Sequence, residues 1–235
     1  MVTPTTGKLA LLIGNSDGIG YKTTESLLAK GYAVIGVSRS ALSLDHPDYT
    51  HHVQDVADDR YRRMLADILD SLPQLDLCVY FAGIGEPIRL DDLAFETKVF
   101  QVNLMGAVVA TELVVGEMLR RRRGHFIGLS SIADVLVSAQ APSYSASKAG
   151  ISRYWEGLGL ALAGTGVRVS NIRFGFVDTK MAKSPIKPFL ITPQAAASFI
   201  LDVVERPRIR ATKPHIMSWL ASLLSVPTRL RLLLR

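Results

Sequence analysis

Apolar residues recur along this chain in two rhythms. Leu9-Ala10-Leu11-Leu12-Ile13 is uninterrupted and closed by Gly14, as in a strand covered on both faces. Gly18 to Lys30 carries a helical spacing and ends at Gly31, a residue suited to a helix C-terminus. Tyr32 to Val37 predicts a second strand. Ala57 to Leu72 predicts an amphipathic helix with Tyr61, Met64, Leu65, Ile68 and Leu69 facing inward. Leu75 to Phe81 is another apolar run, interrupted only by Asp76. A long helix over Phe95 to Arg122 follows, then a strand from His125 to Leu129. A helix reaching about Ala163, a strand over Val167 to Phe174 and a helix over Pro193 to Glu205 complete the pattern.

Strands without polar alternation, separated by helices, predict a parallel sheet with helices on both faces. The fold class is therefore α/β, a doubly wound Rossmann-type sandwich of three layers, with ligands at the carboxyl ends of its strands. One domain is expected over residues 1–213, followed by an extension over 214–235. The 235 residues are 48% hydrophobic and 20% charged, which excludes a disordered chain. The net charge of +6 suits an anionic ligand. Basic residues are mostly scattered and no nucleic-acid-binding signature appears, so no nucleic-acid partner is expected. The single cysteine, Cys78, excludes an internal disulfide. With neither a secretory signal nor a membrane span in view, cytoplasm is the expected location.

Gly14-Asn15-Ser16-Asp17-Gly18-Ile19-Gly20 lies between the first strand and the first helix. Glycines there let backbone approach a pyrophosphate that the helix N-terminus stabilises. The spacing differs from Gly-x-Gly-x-x-Gly. At the second strand's end, an acidic residue would accept hydrogen bonds from an adenosine ribose diol. None is present; Ser38-Arg39-Ser40 instead offers a guanidinium and two hydroxyls to a 2′-phosphate. That favours NADP(H) over NAD(H), although Asp17 puts a negative charge near the expected phosphates.

Tyr144 and Lys148 stand four apart and share one helix face. A nearby ammonium is expected to lower the phenol from its usual pKa of about 10, fitting it for proton exchange with a carbonyl or alcohol oxygen. The spacing alone is common in helices; the upstream context gives it weight.

Gly14-x-x-x-Gly18-x-Gly20, Asp55-Val56, Ala82-Gly83, Asn103, Ser130-Ser131 and Tyr144-x-x-x-Lys148 occur in this order. Over about residues 7 to 205 the chain resembles the short-chain dehydrogenase/reductase family in its short single-domain form. The resemblance implies that Tyr144 is the general acid or base and that Ser131 holds the substrate oxygen. Ser131 is chosen over Ser130 because it lies thirteen residues before the tyrosine. Lys148 would bind the nicotinamide ribose, Asn103 would hold a proton-relaying water, and Asp55 with the Val56 backbone would meet the adenine. Ala82 and Gly83 would allow close approach, and Gly175, Val177 and Thr179 would lie against the nicotinamide. A small carbonyl or alcohol substrate and a homodimer or homotetramer are also implied.

Three departures stand out: Ile13 where the family often has threonine, Tyr80-Phe81 where it has two asparagines, and Phe174-Gly175 where it has Pro-Gly. Phe174 is expected to leave its turn less rigid. His51-His52 offers too few ligands for a metal site, and Arg120 to Arg123 read as a solvated helix end. Met181 to Phe189 falls where the family carries a substrate lid, with Met181, Ile186 and Phe189 suited to an apolar substrate and Lys183 and Lys187 to an anionic one. Trp219 to Val226, followed by Arg229, Arg231 and Arg235, forms an apolar and basic tail suited to packing on a subunit or to peripheral contact with a membrane. The rival expectations are the same chemistry with NAD and a cofactor-binding sensor without turnover.

Overall fold

The chain is described by a computed structural model over residues 7–182 and 185–216; the tail from Trp219 onward and Lys183 lie outside the described residues. Its strands are β1 (Leu9–Ile13), β2 (Ala33–Ser38), β3 (Tyr49–Val53), β4 (Leu77–Tyr80), β5 (Gly124–Ser131), β6 (Val167–Phe174) and β7 (Arg210–Lys213). They form one sheet in the order β3-β2-β1-β4-β5-β6-β7, and all neighbours run parallel. The order reverses direction between β1 and β4, where a doubly wound sheet opens its crevice.

Helices α1 (Gly18–Ala29) and α6 (Pro193–Glu205) cover one face, packing on Leu12, Val34, Ile127 and Ile172. On the other face lie α2 (Tyr61–Ser71), α3 (Ala94–Phe100), α4 (Gly106–Arg121) and α5 (Pro142–Ala161). That face holds the larger core, where Trp155 donates from its indole to Thr111 Oγ1 at 2.9 Å. A Cβ on Gly128 would lie 2.3 Å from the Trp155 ring, so glycine in β5 is what lets the indole rest on the sheet. The segment Ala94–Arg121 is long and apolar enough to cross a membrane by length and composition, yet here its apolar face packs onto the sheet.

Three elements differ from the sequence reading. β3 is an edge strand whose residues Tyr49 to His52 are only partly buried, so no apolar run announces it. β7 is the other edge, short and flanked by charges. The long helix is also not uniform: between α3 and α4, Gln101–Met105 forms a π-helical turn. The Tyr80 hydroxyl donates to the Val102 carbonyl in that turn at 2.8 Å. Gly106 makes room for it, since a Cβ there would sit 2.9 Å from the phenol oxygen. Tyr80, met first as a departure, thus supports the irregular turn that carries Asn103.

Candidate active site and dinucleotide cleft

The carboxyl ends of β1, β4, β5 and β6 bring the glycine loop, residues 82–85, Ser131 and residues 175–179 onto one rim. Gly14 and Gly18 have φ of 90° and 53°, the left-handed region that favours glycine. A Cβ on Gly14 would lie 2.5 Å from the Ala82 nitrogen, and one on Gly20 would lie 2.6 Å from the Gly14 carbonyl oxygen. Backbone is therefore packed on backbone around the N-terminus of α1, and the bare trough fits a pyrophosphate. Ser16 lies in the same loop and Ile19 in the first turn of α1, both partly buried. The missing threonine costs the loop little. The Ile13 carbonyl accepts from the Phe81 and Ala82 nitrogens at 2.7 and 3.1 Å, and Gly14 N–H donates to the Val37 carbonyl at 2.7 Å.

Asp17 caps α1, its Oδ1 accepting from Gly18 N–H at 2.7 Å, while Lys180 Nζ lies 2.7 Å from Oδ2. The Lys180 contact holds the carboxyl below the usual carboxylate range. The charge that opposed a phosphate-bearing ligand is thus paired. Thr179 also touches this loop, its methyl 3.0 Å from where a Gly18 Cβ would be. A cavity of about 410 Å³ opens here, lined by Asp17, Gly18, Tyr21, Thr179, Lys180 and Pro193.

At the carboxyl end of β2, where adenosine is expected, Arg39 and Ser40 are exposed, but Ser38 does not offer its hydroxyl as expected. It is buried, and its hydroxyl donates to the Ser40 carbonyl at 2.9 Å. Ser38 therefore shapes the turn from within, while Arg39 and Ser40 stay exposed. Asp55 Oδ1 accepts from Ala57 N–H at 2.9 Å, and Val56 is buried against Gly106.

The four candidate reacting residues converge from three elements. Tyr144 and Lys148 come from α5, Ser131 from the end of β5, and Asn103 from the π-helical turn. Lys148 Nζ, Asn103 Oδ1 and the Met181 methyl all approach the place of a Gly83 Cβ, at 3.5, 3.4 and 3.7 Å. Gly85, unnoticed in the sequence, is where the Tyr144 ring rests; a Cβ there would be 2.7 Å from the ring. Asn103 Oδ1 accepts from Ile84 N–H and its Nδ2 donates to the Ile84 carbonyl, both at 2.8 Å; Nδ2 also reaches Ser147 Oγ at 3.2 Å. The side chain is thus spent on clamping the residue between Gly83 and Gly85.

The electrostatics correct one expectation. Tyr144 is held above, not below, the ordinary phenol value, because burial outweighs the hydrogen-bonding pull of Ser131. Lys148 does not reverse this. Its Nζ donates to the Leu129 carbonyl at 3.1 Å and lies 5.9 Å from the Tyr144 ring centre. Burial lowers Lys148 itself to about 8.

Two buried straps hold this end. Arg173 Nε donates to Asp134 Oδ2 at 2.7 Å, tying the 3-10 turn after Ser131 (Ile132–Val135) to β6. Ser130 Oγ donates to Asn171 Oδ1 at 2.6 Å, and Asn171 Nδ2 donates to Glu156 Oε1 at 2.9 Å. After β6, Phe174 is anchored rather than loose, packed edge-on against Phe199 at 6.0 Å. Gly175 N–H donates to the Lys213 carbonyl at 2.9 Å; Val177 is buried and bridges to Ile191, which closes the base of segment 178–190.

A family model described as short chain dehydrogenase matches residues 8–187. A probable NADP-dependent dehydrogenase of Haemophilus influenzae is 30% identical, over 84% of this chain and 88% of its own. The human 15-hydroxyprostaglandin dehydrogenase [NAD(+)] is 34% identical, over 76% of this chain and 71% of its own. Among solved structures, a short chain dehydrogenase from Burkholderia cenocepacia in complex with NADP superposes with a TM-score of 0.82 at 23% identity, covering 94% of each chain.

Proposed function

The chain belongs to the short chain dehydrogenase family of oxidoreductases, and from that premise we propose that it reduces a carbonyl substrate with NADPH, Tyr144 acting as the acid. The observation that carries the reading is the meeting of Ser131, Tyr144 and Lys148 beside the bare backbone of Gly83 and Gly85. When bound, the dinucleotide supplies the hydride. The protein's own residues hold the substrate oxygen between the Ser131 and Tyr144 hydroxyls and deliver the proton to it. A phenol raised by burial keeps its proton at neutral pH, which is the form needed to protonate the oxygen of a carbonyl being reduced. Lys148, at about 8, stays mostly charged at neutral pH; it favours negative charge on the phenol as the proton leaves and offers donors to the nicotinamide ribose. The Asn103 clamp fixes Ile84, and a proton-relaying water would lie along its backbone.

Several features support NADP(H). No acidic residue ends β2, Arg39 and Ser40 are exposed there, and Lys180 pairs the Asp17 charge. The Haemophilus influenzae relative is named NADP-dependent and the Burkholderia cenocepacia structure holds NADP, while the human relative is named for NAD(+). Asp55 and Val56 would flank the adenine, and Gly175, Val177 and Thr179 the nicotinamide. Exposed Phe100, Met105 and Tyr154 on the outer helical face suit assembly as a homodimer or homotetramer.

The test is NADPH consumption over a panel of ketones and aldehydes. Wild type is expected to turn over at least one class. Tyr144→Phe should lose roughly 10²–10⁴-fold in turnover while binding NADPH as wild type does. Binding without turnover by wild type across the panel would instead identify a cofactor sensor.

A further inference from the structure

Under the Ser38–Ser40 turn runs a line of polar side chains that no reacting group uses. Asn15 is fully buried, and its Nδ2 donates to Thr24 Oγ1 at 3.1 Å and to the Tyr49 hydroxyl oxygen at 2.9 Å. Tyr49 Oη lies 2.7 Å from His51 Nδ1. His51 Nε2 lies 3.1 Å from both the Ser40 carbonyl oxygen and Ser38 Oγ. The directions follow from the chemistry of the groups. An amide nitrogen only donates, so the Tyr49 oxygen accepts from Asn15 and passes its own proton toward His51 Nδ1. The neutral imidazole then carries its proton on Nε2, aimed at the Ser40 carbonyl.

The line is built into the sheet. Tyr49 and His51 project from one face of β3, and β2 places Gly36 beside His51. A Cβ on Gly36 would lie 2.5 Å from Tyr49 Oη and 2.6 Å from Asn15 Nδ2, so only glycine leaves room for the crossing. One end of the line is Asn15, next to Gly14 of the glycine loop; the other is the turn that displays Arg39.

We infer that Tyr49 and His51 are positioning residues for dinucleotide selectivity, holding the Arg39–Ser40 turn in register with the glycine loop. The inference rests on the NADP(H) reading given above. A 2′-phosphate is gripped only if the guanidinium and the pyrophosphate trough stand at the correct separation. A ribose diol makes no such demand on Arg39, so a loosened turn costs NADPH more than NADH. An ordinary strut would weaken both ligands alike.

The test titrates NADPH and NADH separately against wild type, Tyr49→Phe, His51→Asn and His51→Gln, reading binding and not turnover. Tyr49→Phe keeps the ring and removes the proton handed to His51. His51→Asn keeps an acceptor near the Nδ1 position but loses the donor to Ser40; the longer glutamine amide can restore that donor. Wild type should prefer NADPH, and Tyr49→Phe and His51→Asn should weaken NADPH about tenfold while changing NADH by about twofold or less. His51→Gln should retain most of the preference. An unchanged NADPH-to-NADH ratio in Tyr49→Phe and His51→Asn, or equal loss of preference in His51→Gln and His51→Asn, overturns the inference alone. A wild type that does not prefer NADPH overturns the cofactor reading, and this inference with it.

Discussion

The two ends of the cleft are held by opposite means. At the reacting end the supports are charged and buried: Arg173 and Asp134 are 4% and 6% exposed, and Glu156 anchors Asn171 beneath Ser130. At the adenosine end the supports are neutral hydrogen bonds from Asn15 through Tyr49 to His51, and the cation, Arg39, stands in solvent. Under the proposed function, the difference follows from what each end would have to do. Proton transfer needs groups fixed in a desolvated place, where supporting charges are held at least cost as satisfied pairs. Phosphate recognition needs a cation that a large anionic ligand can reach, so its rigidity must come from beneath.

If that contrast holds, the largest effect comes from Lys148→Met. Turnover should fall roughly 10²–10⁴-fold, yet the unliganded protein should become more stable at pH 7. Burial lowers Lys148 from 10.5 to about 8. Below pH 8 the fold must carry that buried charge, and the unfolded chain carries it in water. Between pH 8 and pH 10.5 the folded lysine has released its proton while the unfolded one retains it, so wild type gains stability as pH rises. The mutant's advantage, up to about 3 kcal/mol at pH 7, should therefore shrink across that window. Denaturant melts at pH 7 and pH 10 measure it; a mutant less stable than wild type at both would show that Lys148 is not held at a cost.

Next in size is Asp134→Ala, which removes the buried carboxylate to which Arg173 donates. A loss of about 3–5 kcal/mol is expected in equilibrium unfolding. Gly36→Ala strikes the other end, pressing a methyl on Tyr49 Oη and Asn15. It should cost about 1–3 kcal/mol and weaken NADPH binding, with turnover at saturating NADPH little changed. An effect on turnover instead of binding would erase the division between the ends. Lys180→Ala is the mildest. It exposes the Asp17 charge to the pyrophosphate and should weaken NADPH about two- to threefold at low salt, less at high salt.

How legible each end was in the sequence follows from the same physics. The buried strands β1 and β2 announce themselves as apolar runs, and the helix Pro193–Glu205 is bounded by its proline and its periodicity; β6 alternates apolar residues with Arg168, Ser170, Asn171 and Arg173. Tyr144 and Lys148 could be read because a helix brings i and i+4 together regardless of tertiary context. Tyr49 and His51 could not, since their meeting with Asn15 depends on the register of an edge strand whose residues carry no apolar signature. Adjacent histidines in sequence point first to a metal, and only the pairing of β3 with β2 turns His51 toward the Ser38–Ser40 turn. The π-helical turn was hidden because no residue type in Gln101–Met105 marks it within an otherwise continuous helical stretch. The shift of Tyr144 depended on a contest between burial and Lys148, which spacing cannot decide.

The central claim is that Arg39, presented by that turn, reads a 2′-phosphate. Titration of NADPH and NADH against wild type and Arg39→Ala tests it most directly. The account predicts that wild type prefers NADPH by about tenfold or more and that Arg39→Ala loses the preference mainly by binding NADPH more weakly. Equal or tighter binding of NADH by wild type, unchanged in the variant, would contradict it.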